Sequence, residues 1–112
     1  MVKRSYIPSK GDLVILTFDP QAGHEQKGRR PALVVSNKTF NRAVGFALVC
    51  PITNTNRDFP FHIKVDGEQI GGYILTEQVK SIDYEVRKIK FVEKVSSEIL
   101  DEVMAIIGAI LK

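Results

Sequence analysis

Little in this 112-residue chain points toward metals, disulfides or membranes. It has one cysteine, two histidines, two methionines and no tryptophan. With Cys50 alone, no internal disulfide forms, no thiolate zinc site is available, and nothing suggests an oxidising compartment. A zinc site built from His24, His62 and carboxylates would need two histidines 38 positions apart, so no metal or other cofactor is expected. No window approaches the ~18 consecutive apolar residues of a membrane span, and the basic N-terminus lacks the apolar core of a signal peptide. A cytoplasmic protein is expected. There is no phosphate-binding G-x-x-x-x-G-K-[ST], no G-x-G-x-x-G opening a helix and no H-x-x-x-H pair, which removes the common nucleotide and metalloprotease sites.

What is present is an ordinary globular balance, 44% apolar and 26% charged, over a length that fits one domain spanning residues 1–112. The net charge of +3 is unevenly spread. Residues 1–64 carry ten Lys/Arg against four Asp/Glu, and residues 65–112 carry six against nine. A cationic half suits a polyanionic partner.

Hydrophobic patterning predicts strands over 11–19, 31–37, 46–53, 59–65, 72–82 and 87–95, separated by turn residues. Pro51 lacks an amide hydrogen and marks the end or an edge of the third run. In FPFHIKV, Phe61, Ile63 and Val65 alternate with His62 and Lys64, one face buried and one wet. Residues 38–45 read as a connection. From Ser96 the period changes: Ile99, Val103, Ile106 and Ile110 recur at helical steps, as do Leu100, Met104, Ile107 and Leu111, with Ser96 as N-cap. That apolar stripe closes the core or meets a partner subunit. Five to six strands and one helix make a mainly β fold: a small antiparallel barrel or curled sheet with a C-terminal amphipathic helix.

The segment G-H-E-Q-K-G-R-R-P, residues 23–31, gathers Glu25, Lys27, Arg29 and Arg30 ahead of the second strand. In an antiparallel pair the start of that strand and the end of the third share an edge, so Arg30 and Thr53 can converge. Pro31 restricts Arg30 to an extended backbone, and a guanidinium fork matches a phosphate.

The same residues carry a resemblance. GHEQKGRRPALVVS, the upstream GDLV with FDP, CPIT at 50–53 and TEQVKSID at 76–83 together resemble the MazF/PemK family of ribonuclease toxins, nearer its MazF branch, along almost the whole chain. The resemblance implies an SH3-like barrel of the CcdB/PemK type and a homodimer. It also implies metal-independent cleavage of single-stranded mRNA to 2′,3′-cyclic phosphate and 5′-hydroxyl ends, and inhibition by a MazE-like antitoxin whose disordered acidic tail fills the RNA groove. Its catalytic arginine and threonine fall on Arg30 and Thr53. Arg30, always protonated, stabilises the phosphorane, and Thr53 holds the phosphate. Glu25 either takes the 2′-OH proton or orients an arginine. Glu77 stands where PemK-type members carry an aspartate proposed as base, but Leu75 replaces their arginine, which argues against that mechanism. His24 is not expected to be essential. Lys27, Arg29, Asn37, Gln78 and Lys80 are expected RNA contacts, with Phe18 a stacking face or a core residue. The alternatives are a CcdB-like toxin that binds gyrase and a catalytically lapsed RNA binder.

Overall fold

The computed structural model describes residues 5–18, 28–56 and 58–112. Among the described residues seven strands are formed: β1 (Asp12–Thr17), β2 (Arg29–Val34), β3 (Phe46–Thr53), β4 (His62–Asp66), β5 (Gly71–Leu75), β6 (Lys80–Asp83) and β7 (Lys90–Lys94). They make one curled sheet in the order β4-β5-β3-β2-β1-β7, with β6 also paired to β3. Every pairing is antiparallel. The mainly β class with a C-terminal helix is as the sequence implies. The predicted run over 72–82 divides in two around a single 3-10 turn, Thr76–Gln78, because Thr76 turns inward, fully buried, to donate its hydroxyl to Phe61 O at 2.5 Å.

β3 does not end at Pro51. Its first half, Phe46 to Val49, pairs with β6, and its last two residues, Ile52 and Thr53, pair with β5. Pro51 lies in the handover between these partners, where a missing amide hydrogen costs that flank of the sheet no ladder bond.

Period-two alternation sorts the sheet into two cores. Leu13, Leu33, Cys50, Ile52, Ile63, Val65 and Ile74 point to one face and pack with Val103 and Ile107 of the C-terminal helix. Val14, Leu16, Ala32, Val34, Ala47, Val49 and Ile82 point to the other, with Tyr84. Each fully buried aliphatic side chain contributes roughly 1.5–3 kcal/mol. The helix, α2 (Ser97–Ile110), starts where Ser96 accepts from Ile99 N at 3.2 Å. Its stripe closes the core through Val103 and Ile107, flanked by Ile99, Leu100, Met104 and Ile106, while Ile110 and Leu111 are exposed at its end.

The predicted connection at 38–45 is a short helix, α1 (Lys38–Val44). Asn37 caps it by accepting from Phe40 N at 2.8 Å, and Gly45, at φ 77°, closes it by donating to Asn41 O at 2.9 Å. Asn41, fully buried, donates Nδ2 to Pro8 O (2.8 Å) and Ser36 O (3.1 Å) and accepts from Ser36 Oγ (2.5 Å). Its carbonyl accepts from Tyr84 at 3.0 Å. One side chain thus links the N-terminal arm to the end of β2, and its backbone links α1 to the turn after β6.

Candidate active site

The face that carries Ala32, Val34 and Val49 continues outward into polar residues. Leu16 is paired with Arg30, Val14 with Ala32, Ala32 with Pro51, and Val49 with Lys80. Directly opposed residues share a face, and alternate residues on one strand do too. Arg30, Thr53, Lys80 and Phe18 therefore all belong to this face, with Phe18 packed against the apolar cluster and Lys80 opposite its member Val49. Extending the β2·β3 register two residues beyond Ala32–Pro51 sets Arg30 opposite Thr53. Arg30 is exposed and Thr53 half-buried.

Close backbone approach fixes Thr53. Its strand partner is Tyr73, and at the preceding Gly72, with φ 137°, an added Cβ would lie 2.5 Å from Thr53 O. Only glycine permits this contact. The Thr53 hydroxyl accepts from Thr55 N at 3.2 Å, which leaves its own proton to donate outward.

Arg29 has a different job from the one its sequence position suggests. Its Nη1 donates to Lys88 O at 2.7 Å, Arg87 O at 3.3 Å and Thr17 Oγ1 at 3.3 Å, pinning the start of β2 to the turn before β7. The Arg87 guanidinium meets the carbonyls of Thr17 and Phe18 from the other side. Lys80, an expected RNA contact, lies over the ring of Phe18, the ammonium 5.3 Å from the ring centroid, and Phe18, read as a stacking face or a core residue, packs against the second core. Asn37 is not brought to this end: it is spent as the cap of α1, at the opposite end of β2 from Arg30. Glu25, Lys27 and His24 lie outside the described residues.

Next to Thr53 the surface opens into a cleft of about 440 Å³ lined by Thr53, Phe59, His62, Leu75, Glu77 and Gln78. Gln78, an expected RNA contact, thus joins Thr53. His62 was expected on the wet face, yet its side chain is only 6% exposed. Its Nε2 meets Glu77 Oε2 at 3.0 Å, and its ring packs against Phe59 with centroids 5.0 Å apart. Nδ1 of His62 is buried with no hydrogen-bond partner among the described residues. Phe61, expected inside with Ile63 and Val65, is instead partly exposed and set edge-on to Phe59 at 5.7 Å. Period-two alternation cannot reveal this arrangement, because the cover over His62 comes from Phe59, ahead of the strand that starts at His62, and from Glu77, 15 residues away.

Burial pushes the Glu77 carboxyl upward, but the His62 hydrogen bond, a backbone hydrogen bond, the His62 charge and Gln78 outweigh it and hold the group below the ordinary glutamate value. Burial, then the nearby Glu77 charge, push the Cys50 thiol up to about 12, so it is an inert core residue. Among the described residues no three His, Cys, Asp or Glu side chains converge as a metal site would require, and no helix is long and apolar enough to cross a membrane.

Known proteins resemble this chain in sequence and fold. Residues 9–111 match the family model described as the PemK-like, MazF-like toxin of type II toxin-antitoxin systems. The chain is 41% identical over 87 residues to the endoribonuclease toxin MazF of Escherichia coli K12, covering 78% of each. It is 34% identical to the endoribonuclease PemK of Escherichia coli, over 99% of this chain and 87% of that one. Among solved structures, the MazE-MazF crystal structure (form III) from Deinococcus radiodurans superposes with a TM-score of 0.86 at 34% identity, covering 95% of this chain and 97% of that chain. Sequence and fold agree, and the chain belongs to the PemK/MazF toxin family.

Proposed function

We infer that this protein is an endoribonuclease toxin that cuts single-stranded mRNA without a metal ion and so stops translation and growth. What supports the reading is the β2·β3 register, which, carried two residues past Ala32–Pro51, sets Arg30 opposite Thr53 on one face of one sheet edge, beside a cleft large enough for a nucleotide. The ribose 2′-oxygen attacks the adjacent phosphorus, the bond from phosphorus to the 5′-oxygen breaks, and the products are a 2′,3′-cyclic phosphate and a 5′-hydroxyl. The 2′-OH proton leaves to a base and the 5′-oxygen gains one, so no other reactant is consumed. Arg30, cationic at all relevant pH, stabilises the phosphorane, and the Thr53 hydroxyl holds the phosphate in line. Glu25 fills one of two roles, proton acceptor or orienter of an arginine. Lys80, stacked on Phe18, supplies phosphate attraction, as does Lys27, while Gln78 reads a base edge from the cleft.

The partner expected in the cell is an antitoxin of the MazE kind, as in the Deinococcus complex. Its acidic tail competes with RNA for the cationic edge. A homodimer in the cytoplasm is the assembly this reading implies. A gyrase-binding mode is disfavoured, since it has no use for a phosphate-directed arginine at this edge.

Arg30→Ala is expected to lower RNA cleavage by at least about a hundredfold, the scale of a lost transition-state donor, with the circular dichroism spectrum unchanged. Full activity in a folded Arg30→Ala variant removes Arg30 from the mechanism.

A further inference from the structure

A second cavity, of about 690 Å³, lies where the N-terminal arm, α1 and β7 meet, and Tyr6, Asp12, Lys38, Arg42, Phe91 and Lys94 line it. Its walls are tied to one another. Asn41, next to Arg42 on α1, donates to Pro8 O at 2.8 Å and joins the helix to the arm. Tyr6 donates its hydroxyl to Asp12 and sets its ring 6.0 Å from that of Phe91, which joins the arm to β1 and β7. Burial, then the Asp12 hydrogen bond and the Asp12 charge, push the Tyr6 phenol above its ordinary value, so it remains a donor.

The lining carries three cations against one carboxylate, and that carboxylate is already engaged. Asp12 has a side chain only 3% exposed, accepts from Tyr6 and from Ser9 N at 3.0 Å, and pairs through Oδ1 with Lys94 Nζ at 2.5 Å. It turns no free oxygen toward an incoming anion. Lys38 and Arg42, one turn apart, stand exposed on the same side of α1, and neither meets a carboxylate among the described residues. Cations alone would suit any anion. Phe91, 41% exposed beside them, adds a face on which a base can stack, and this pairing of ring and cation fits a nucleotide better than an acidic peptide.

The cavity also lies on the side of the sheet that carries Arg30. Asp12 alternates with Val14 and Leu16, Phe91 is paired with Val14, and Leu16 is paired with Arg30. From Asp12 to Leu16 is four residues, roughly 13 Å at about 3.3 Å each. About four nucleotides stacked ~3.4 Å apart cover that span.

We propose that this cavity is a second RNA subsite, which holds one nucleotide of the substrate strand outside the cleaved bond, its phosphate on Lys38, Arg42 and Lys94 and its base against Phe91. The proposal rests on the ribonuclease reading and adds to it a preference for strands long enough to reach both ends of β1. None of these contacts reads a base edge, so the subsite gives affinity without sequence preference.

The test is fluorescence anisotropy with 2′-O-methyl RNA, which lacks the attacking hydroxyl and reports binding apart from cutting. Labelled strands of about 5 and about 15 nucleotides bracket a single-strand site. Wild type is expected to bind the longer strand at least about tenfold more tightly, the scale of one stacked base. The double variant Lys38→Ala/Arg42→Ala loses that advantage, leaves the short strand unaffected, and flattens the log-log salt dependence for the long strand by about 1.4, about 0.7 for each lost phosphate contact. Phe91→Ala weakens the long strand by about tenfold with the salt dependence unchanged. Should Phe91→Ala not fold, the double variant, whose two positions are exposed, decides. Wild-type affinity and salt dependence in the double variant overturn the subsite, and so does an equal loss on both strands, which is the mark of net charge alone. Unchanged RNA binding with weakened binding of poly-glutamate assigns the cavity to an acidic protein segment and overturns it too. Binding in the expected pattern by a wild-type protein that cuts no RNA supports the subsite while defeating the ribonuclease reading, so the two failures are distinguishable.

Discussion

Individual side chains near the cleft owe their behaviour to what covers them. Cys50 sits inside the sheet one residue before Pro51, buried, and that burial pushes its thiol up to about 12, which disfavours the reactive thiolate. Native protein is therefore expected to resist iodoacetamide for hours and to react at once in guanidinium chloride, followed by intact mass. Rapid labelling of the folded protein would contradict this burial. Glu77 and Glu93 are both anions stabilised by the fold. Glu93 accepts from the backbone amides of Gln69 and Ile70, each at 2.8 Å, and of Glu68 at 3.0 Å, and these bonds hold it below the ordinary glutamate value. Carboxyls lowered in the folded state stabilise it above their unfolded value of 4.5, and that contribution is lost as pH falls through the folded values. The melting temperature is expected to fall steadily below pH 4.5, and less steeply in Glu93→Gln. Equal slopes would remove Glu93 from the acid response. Neither role was legible in the sequence. Glu93 occupies a strand position where alternation suggests only a side, and its partners lie 23 to 25 residues earlier.

Among the elements, α1 shows what local patterning conceals. Seven residues are too few for helical periodicity to stand out, and the caps Asn37 and Gly45 resemble ordinary turn residues. The helix persists because Asn41 is anchored on both sides. Asn41→Ala strands a buried hydroxyl and two carbonyls, and is expected to cost about 3 kcal/mol in urea unfolding. A loss under about 0.5 kcal/mol, the size of a surface substitution, would mean this node is not a support. The strands of β1, β2 and β3 were legible because β-branched runs flanked by turns have few other readings. The division of 72–82 was not, since it depends on Thr76 finding Phe61 O across the fold. The antiparallel β2·β3 pairing was legible for a simple reason: short connections between consecutive strands set the start of one against the end of the next. Arg29 and Asn37, nominated on residue type, meet backbone partners that type alone does not disclose.

At the scale of the whole molecule, the curled sheet assigns its two faces to different tasks. One is closed by α2 and holds the larger core, while the other runs from a second apolar cluster to the polar edge where Arg30, Thr53 and Lys80 gather. Of the cations in residues 1–64, β2 carries Arg30 to that edge, exposed and free to face a phosphodiester. The central claim is that this edge turns a ribose hydroxyl against its own phosphate with no metal in the step. Its most direct measurement is to incubate the purified protein with a long single-stranded RNA, with and without EDTA, and to identify the cut ends by mass spectrometry. The account predicts 2′,3′-cyclic phosphate and 5′-hydroxyl termini in equal yield under both conditions. Termini bearing a 5′-phosphate, or cleavage that stops in EDTA and returns with Mg²⁺, would contradict it.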